Sequence, residues 1–128
     1  MMLLLDTHVL ILLASDQKKL PDRAKKAIGV SHLFVSAISA LEIGLLCKRR
    51  RLRLPVAPET FFERALEQHG IEEIPVDGTI GLRAAALPDL HNDPFDRIII
   101  ATAFEHELTI ITKDGTMPTY PNGRTIWD

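Results

Sequence analysis

Cysteine is nearly absent from this 128-residue chain, and Cys47 stands alone. No internal disulfide can form, and a zinc site built on several thiolates is excluded. A single thiol in an apolar helical stretch is expected to be buried and reduced, as in a cytoplasmic protein, and no cysteine catalysis is expected of it. Aromatic residues are scarce at 5%, so stacking on nucleobases is not expected to be a main source of affinity. No apolar run reaches the roughly 18 residues of a membrane span. With 15 Lys+Arg against 17 Asp+Glu the formal net charge is -2, which excludes a protein that coats nucleic acid through bulk positive charge. There is no repeat, low-complexity tract or dividing linker. The chain is therefore expected to form a single domain over 1–128, long enough to bury a core without staples. Met1 to Ala14 is apolar, but it lacks a basic leader and is interrupted by Asp6 and His8, so it is expected to be mature structure and not a signal peptide.

What the sequence does hold is centred on His91-Asn92-Asp93-Pro94-Phe95-Asp96-Arg97 and the apolar run Ile98 to Phe104. Pro94 suits the first position of a helix and Asp93 its N-cap. The helix is apolar on nearly every side after its first turn, so other parts of the chain must cover it. Yet that first turn carries two carboxylates, where a buried helix should bring as little charge as possible. Capping explains Asp93, and Asp96 can return a bond to the cap amide while opposing the helix dipole.

Upstream, Met2 to Leu5 reads as a strand buried on both faces, ended by Asp6. Val9–Ala14 and Pro21–Gly29 read as helices and Leu33–Val35 as a strand. Ser36 is a candidate N-cap for a helix from Ala37 towards Lys48, on which Glu42 is the only charge before Leu46. Pro55 and Pro58 form a connector. Glu59–His69 has helical spacing with Phe62, Ala65 and Leu66 inward, and Gly70 ends it. Ile71–Val76 is a weaker strand, and a helix runs from Asp77 or Gly78 through Leu87. Leu108–Thr112 is a β-branched strand ended by Lys113-Asp114-Gly115. Met117–Gly123 reads as loop, and Arg124–Trp127 as a final edge strand. Alternating strands and helices predict a three-layer α/β/α fold with a central parallel sheet of four or five strands.

In such a sheet, loops and helix starts after the strands meet at one edge, and ligands bind where strand order reverses. Asp6 and Asp114 follow strands directly, Asp96 opens the buried helix, and Glu42 lies about one turn into its own. Each has a structural explanation alone: a cap, a salt-bridged helix residue, a helix-start carboxylate, an Asp-Gly turn. Together they would be four coincidences at one edge. Crowded carboxylates need positive charge between them. Oxygen ligands without a zinc-like Cys/His spacing point to a hard ion, Mg²⁺ or Mn²⁺, and such ions serve hydrolytic cleavage of phosphodiesters.

With these residues in view, the sequence resembles the PIN-domain ribonucleases, and more narrowly the VapC-type toxins of toxin–antitoxin pairs. The resemblance runs from Leu4-Leu5-Asp6-Thr7-His8 through Val35-Ser36 and Leu41-Glu42-Ile43 to His91-x-Asp93-Pro94-Phe95-Asp96-Arg97 and Thr112-x-Asp114, essentially the whole chain. It implies a PIN-like, Rossmannoid fold and a metal-dependent endoribonuclease. Asp6, Glu42, Asp96 and Asp114 would be the metal-binding acids, with Asp6 and Asp96 as direct ligands, and Thr112 would orient a carboxylate or the attacking water. It also implies an RNA substrate, a small antitoxin partner and a homodimer, for which Ala37–Leu46 could supply surface.

Several assignments stay open at this level. Asp93 is favoured as cap over ligand, and His8 and His91 as structural hydrogen-bonding residues over bases. Arg97 either pairs with a site carboxylate or holds a phosphate. The basic run Lys48 to Arg53 either tracks an RNA backbone or ends a helix as solvated charge. A DNA nuclease or phosphatase using the same acids, or a non-catalytic module on the same fold, are the alternative functions.

Overall fold

The computed structural model of the protein describes residues 1–114, 117 and 123–128. The loop expected over Met117–Gly123 falls largely outside these residues, as does Gly115 of the Asp-Gly turn. Strand β1 (Met2–Leu5) lies at the centre of a parallel sheet. It pairs with β2 (His32–Ser36) on one side and β4 (Thr109–Ile111) on the other, while β3 (Ile71–Ile74) and β5 (Thr125–Ile126) form the edges. The order is β3-β2-β1-β4-β5, five strands, as the alternating pattern predicts. Chain order reverses between β1 and β4, so a crevice opens beyond their carboxyl ends.

The continuous apolar run of β1 is explained by its position. Leu3, Leu4 and Leu5 are all fully buried, because successive side chains point to opposite faces and both faces are covered. Leu3 and Leu5 join one core layer with Leu33, Val35 and Ile111. Over it lie α1 (Thr7–Ser15), α2 (Asp22–Gly29), α3 (Ile38–Lys48) and α4 (Pro58–His69). Leu4 and Ile110 join the other layer, covered by α5 (Gly78–Ala86) and α6 (Pro94–His106). As its sequence requires, α6 buries Ile99 through Ala103. Among the described residues, no helix is long and apolar enough to cross a membrane.

Three local expectations are corrected. On α4 the buried residues are Phe61 and Ala65, one turn apart, while Phe62 and Leu66 are only partly covered. Adjacent aromatics leave the phase of a helix ambiguous by one position. Ser36 is the last residue of β2; Ala37 occupies the cap position of α3, and the Ser36 hydroxyl accepts the Ile38 amide at 3.1 Å. Cys47 is half-buried at the edge of the first core layer.

Three helices are closed by left-handed residues: Arg50 beyond α3 (φ 58°), Gly70 after α4 (φ 62°) and Glu107 after α6 (φ 55°). Glycine has no Cβ penalty there, whereas an L side chain does. Glu107→Gly is therefore expected to stabilise, and Gly70→Ala to destabilise, each by about 1 kcal/mol. Chemical denaturation of the two variants checks the opposite signs.

Candidate active site

Asp6 stands at the carboxyl end of β1, and its amide donates to the Ile111 carbonyl of β4 at 3.0 Å, which locks it beside the neighbouring strand end. It occupies the N-cap position of α1, yet its side chain makes no cap bond. Instead Oδ2 accepts the Thr112 hydroxyl at 2.7 Å, across 106 residues of sequence. Thr112 Oγ1 in turn accepts the Asp114 amide at 3.0 Å. The buried Thr112 hydroxyl thus orders both aspartates at the point where strand order reverses.

Glu42 comes from α3. Thr7 and Ser39, both buried, share a hydroxyl hydrogen bond of 2.7 Å between the starts of α1 and α3. The Thr7 side chain faces Glu42 and works against the rise of its carboxyl. Glu42 Oε1 is buried and lacks a hydrogen-bond partner among protein atoms. A buried carboxylate oxygen without a donor is costly unless something else supplies positive charge. That orphaned oxygen fits a hard cation, as do the other carboxylates of the site.

The start of α6 supplies the rest. Asp93 Oδ1 accepts the Phe95 amide at 2.9 Å, the cap expected of it. Asp96 lies 3.3 Å from His91 Nε2, and the same nitrogen lies 2.8 Å from Asp114 Oδ2. Among the described residues, His91, Asp96 and Asp114 form the one group of possible metal ligands whose atoms all lie within 4.8 Å of one another. Asp6 and Glu42 stand outside this tightest group but within electrostatic reach of it.

The charges of all these acids act on one another. Burial pushes the Asp96 carboxyl up to about 7, helped by Asp6, Asp93 and Glu42 and opposed by His91. Burial likewise raises Asp6, against the hydrogen bonds from Thr112 and Thr7, with Asp114 adding to the rise and His8 opposing it. Glu42 is raised first by burial and then by Asp6 and Asp93. Five carboxylates gathered beside the imidazoles of His8 and His91 form a site that favours a proton or a cation. Such a set could orient water beside a phosphodiester once a divalent ion neutralises it.

Both sequence alternatives for Arg97 are corrected. Its guanidinium is turned onto backbone carbonyls of Ala84, Ala85, Leu87, Pro88 and His91, at 2.7–3.3 Å. It therefore holds a loop, with neither a site carboxylate nor a free phosphate position at its tip; exposed Asp89 is 3.9 Å away. The place of His91 between two acids was not legible, because residue spacing does not show which side chains meet across 23 residues. The Thr7–Ser39 pair left a fainter signal, since Ser39 precedes Glu42 by one helical turn. Lys48, Arg49, Arg50, Arg51 and Arg53 are all exposed at and after the end of α3.

Comparison with known proteins agrees with this geometry. The PIN domain family model matches residues 3–122. Ribonuclease VapC22 of Mycobacterium tuberculosis is 32% identical over 97% of both chains. Among solved structures, a toxin–antitoxin complex from Klebsiella pneumoniae contains a chain 26% identical to this one (TM-score 0.66, covering 96% of this chain and 94% of that one). VapBC2 from Rickettsia felis, bound to a DNA fragment from its promoter, aligns over the whole of both chains with a TM-score of 0.73 at 16% identity, a likeness of fold. A family model that spans nearly the entire sequence, on a sheet whose reversal point gathers the acids, leads to one conclusion: the chain belongs to the PIN domain family.

Proposed function

We propose that the protein is a metal-dependent endoribonuclease and the toxin of a type II toxin–antitoxin pair, with Asp6, Glu42, Asp96 and Asp114 holding Mg²⁺ or Mn²⁺. The observation that carries this reading is the gathering of mutually repelling, partly buried acids at the carboxyl edge of β1 and β4. The names of relatives supply the substrate and the partner: one is called a ribonuclease, and another was solved as a toxin–antitoxin complex. When bound, the divalent ion would lower the pKa of water and stabilise charge developing on the phosphodiester. The chain's own part is to shape that place. Thr112 fixes the direction of Asp6, and Asp93 fixes the start of α6 so that Asp96 faces the crevice.

Substrate binding falls to the exposed basic residues at and after the end of α3, which begin at Lys48, six residues and about 9 Å of helical rise beyond Glu42. Neutralising Arg49, Arg50 and Arg51 together with glutamine is expected to raise KM for RNA while leaving kcat near its original value. It should also flatten the salt dependence of binding by about 2 in the log–log slope, given about 0.7 per phosphate contact on single strands. A homodimer and an antitoxin need apolar surface, and α3 offers some: it is apolar around most of its circumference, yet only Ser39 and Ile43 are buried on it and Leu41 is 52% exposed. Function in the cytoplasm follows from a cellular RNA target.

The test of substrate class is cleavage of one RNA, the DNA of the same sequence and p-nitrophenyl phosphate by the purified full chain, with Mn²⁺. Cleavage confined to RNA is expected. Turnover of the DNA or the phosphomonoester at a comparable rate would transfer the acids to another phosphoester chemistry.

A further inference from the structure

We propose that His91 is a positioning residue for the carboxylate site: anchored through Arg97, its Nε2 sets the spacing of Asp96 and Asp114 for a shared divalent cation. This role rests on the metal-dependent reading given above. The anchoring begins at the end of α5, where the helix leaves carbonyls turned outward and only Ala84 receives a long bond from the Leu87 amide. Arg97 Nε and Nη2 donate to the Ala84 carbonyl at 3.1 and 2.8 Å, and Nη2 also reaches Leu87 at 2.7 Å. Nη1 donates to the carbonyls of Pro88 and His91 at 3.1 and 3.0 Å. One planar fork of five donors thereby fixes the segment from Ala84 to His91 onto the first turn of α6, a match that a point charge cannot make.

His91 is thus tied, through its own carbonyl, to the helix that carries Asp96. Its side chain is only 12% exposed, so few orientations are open to it. From there Nε2 reaches Asp114 Oδ2 at 2.8 Å and Asp96 Oδ2 at 3.3 Å. Asp96 sits on α6 and Asp114 on the loop after β4, on opposite sides of the crevice. The Asp114 amide continues the chain of bonds to Thr112 and on to Asp6. With a hydrogen on Nε2, the imidazole is a donor shared by two carboxylates, one from each side of the crevice. Side chains that orient ligands in this way typically govern affinity by about ten- to a hundredfold.

Mn²⁺ binding to the full-length protein, followed by EPR of the free ion, separates this role from simple structural support. His91→Ala should weaken Mn²⁺ affinity by about ten- to a hundredfold. His91→Gln, whose amide nitrogen can take the place of Nε2, should restore most of it. Arg97→Lys should resemble the alanine variant. Pulsed EPR should give the same nitrogen coupling for Mn²⁺ in wild type and His91→Gln. If His91→Ala binds Mn²⁺ as tightly as wild type, or if His91→Gln is as weak as an Ala or Arg97→Lys variant, the positioning role is wrong. A nitrogen coupling present in wild type and lost in His91→Gln would instead make His91 a direct ligand and overturn the proposal. Should His91→Ala fail to fold, His91→Gln decides alone: near-wild-type affinity supports the role and a tenfold loss rejects it. A wild-type protein that binds no Mn²⁺ at all would remove the metal-dependent reading first, and this role with it.

Discussion

Asp96→Asn is expected to melt several degrees above the wild type in EDTA at pH 8 and to lose RNA cleavage by a factor on the order of 10²–10³. The two effects have one cause. Asp96 lies at the start of a core helix, and burial with its acidic neighbours raises its carboxyl from 3.8 to about 7. Because the folded value lies above the unfolded one, the folded state holds more protons than the unfolded state between these values, and stability falls as pH rises through that range. Above pH 7 the metal-free protein bears the whole penalty. Its upper bound is roughly 4 kcal/mol at 1.36 kcal/mol per pH unit, and relaxation and the 17% exposure of the side chain reduce it. Asparagine keeps the shape and carries no charge, so the penalty disappears with the carboxylate. The advantage of the variant should shrink as pH falls from 7 towards 4, where the wild-type group is already neutral in the fold. Thermal melts of both proteins across that range are the check. A variant that melts lower than the wild type at pH 8 would show that Asp96 is not in a repulsive cluster.

The second large effect concerns the ion itself. At pH 8 in the absence of metal, ionised Asp96 and the raised Asp6 and Glu42 destabilise the fold. Mg²⁺ or Mn²⁺ at a hundred times its dissociation constant should then stabilise by about 2.7 kcal/mol. For a chain of this size that amounts to roughly 10 °C in Tm. At pH 5 the gain should be much smaller, because protons already neutralise Asp96 and compete with the ion. Melting curves with each metal and with EDTA at the two pH values measure it. A melt at pH 8 that ignores both metals would contradict the site.

Much of the scaffold was legible because its elements obey local rules. The run Met2 to Leu5 is apolar throughout because β1 is covered on both faces, and Asp93-Pro94 opens α6 with a cap bond that needs only its own neighbours. Gly70 ends α4 in the left-handed conformation that glycine tolerates. The four acids were legible as strand-end and helix-start residues that parallel topology brings to one edge. What local rules could not show is which bond wins when two are open. Asp6 has the right position to cap α1, yet a hydroxyl 106 residues away claims its side chain. Arg97 has the charge to meet a carboxylate, yet the cluster of backbone carbonyls at the end of α5 fits its fork better. His91 read as a structural hydrogen-bonding residue with no partner named, because one of the two carboxylates it meets lies on a loop 23 residues later. In each case the deciding partner is distant in sequence, and only the folded chain presents it.

The measurement closest to the central claim is cleavage of total cellular RNA by the purified, antitoxin-free protein in Mg²⁺ or Mn²⁺, beside the same reaction in EDTA and with Asp96→Asn. Discrete fragments that need the metal and vanish in the variant are the expected result. A folded wild-type protein that leaves RNA intact with either metal, or a variant that cuts as well as the wild type, would contradict it.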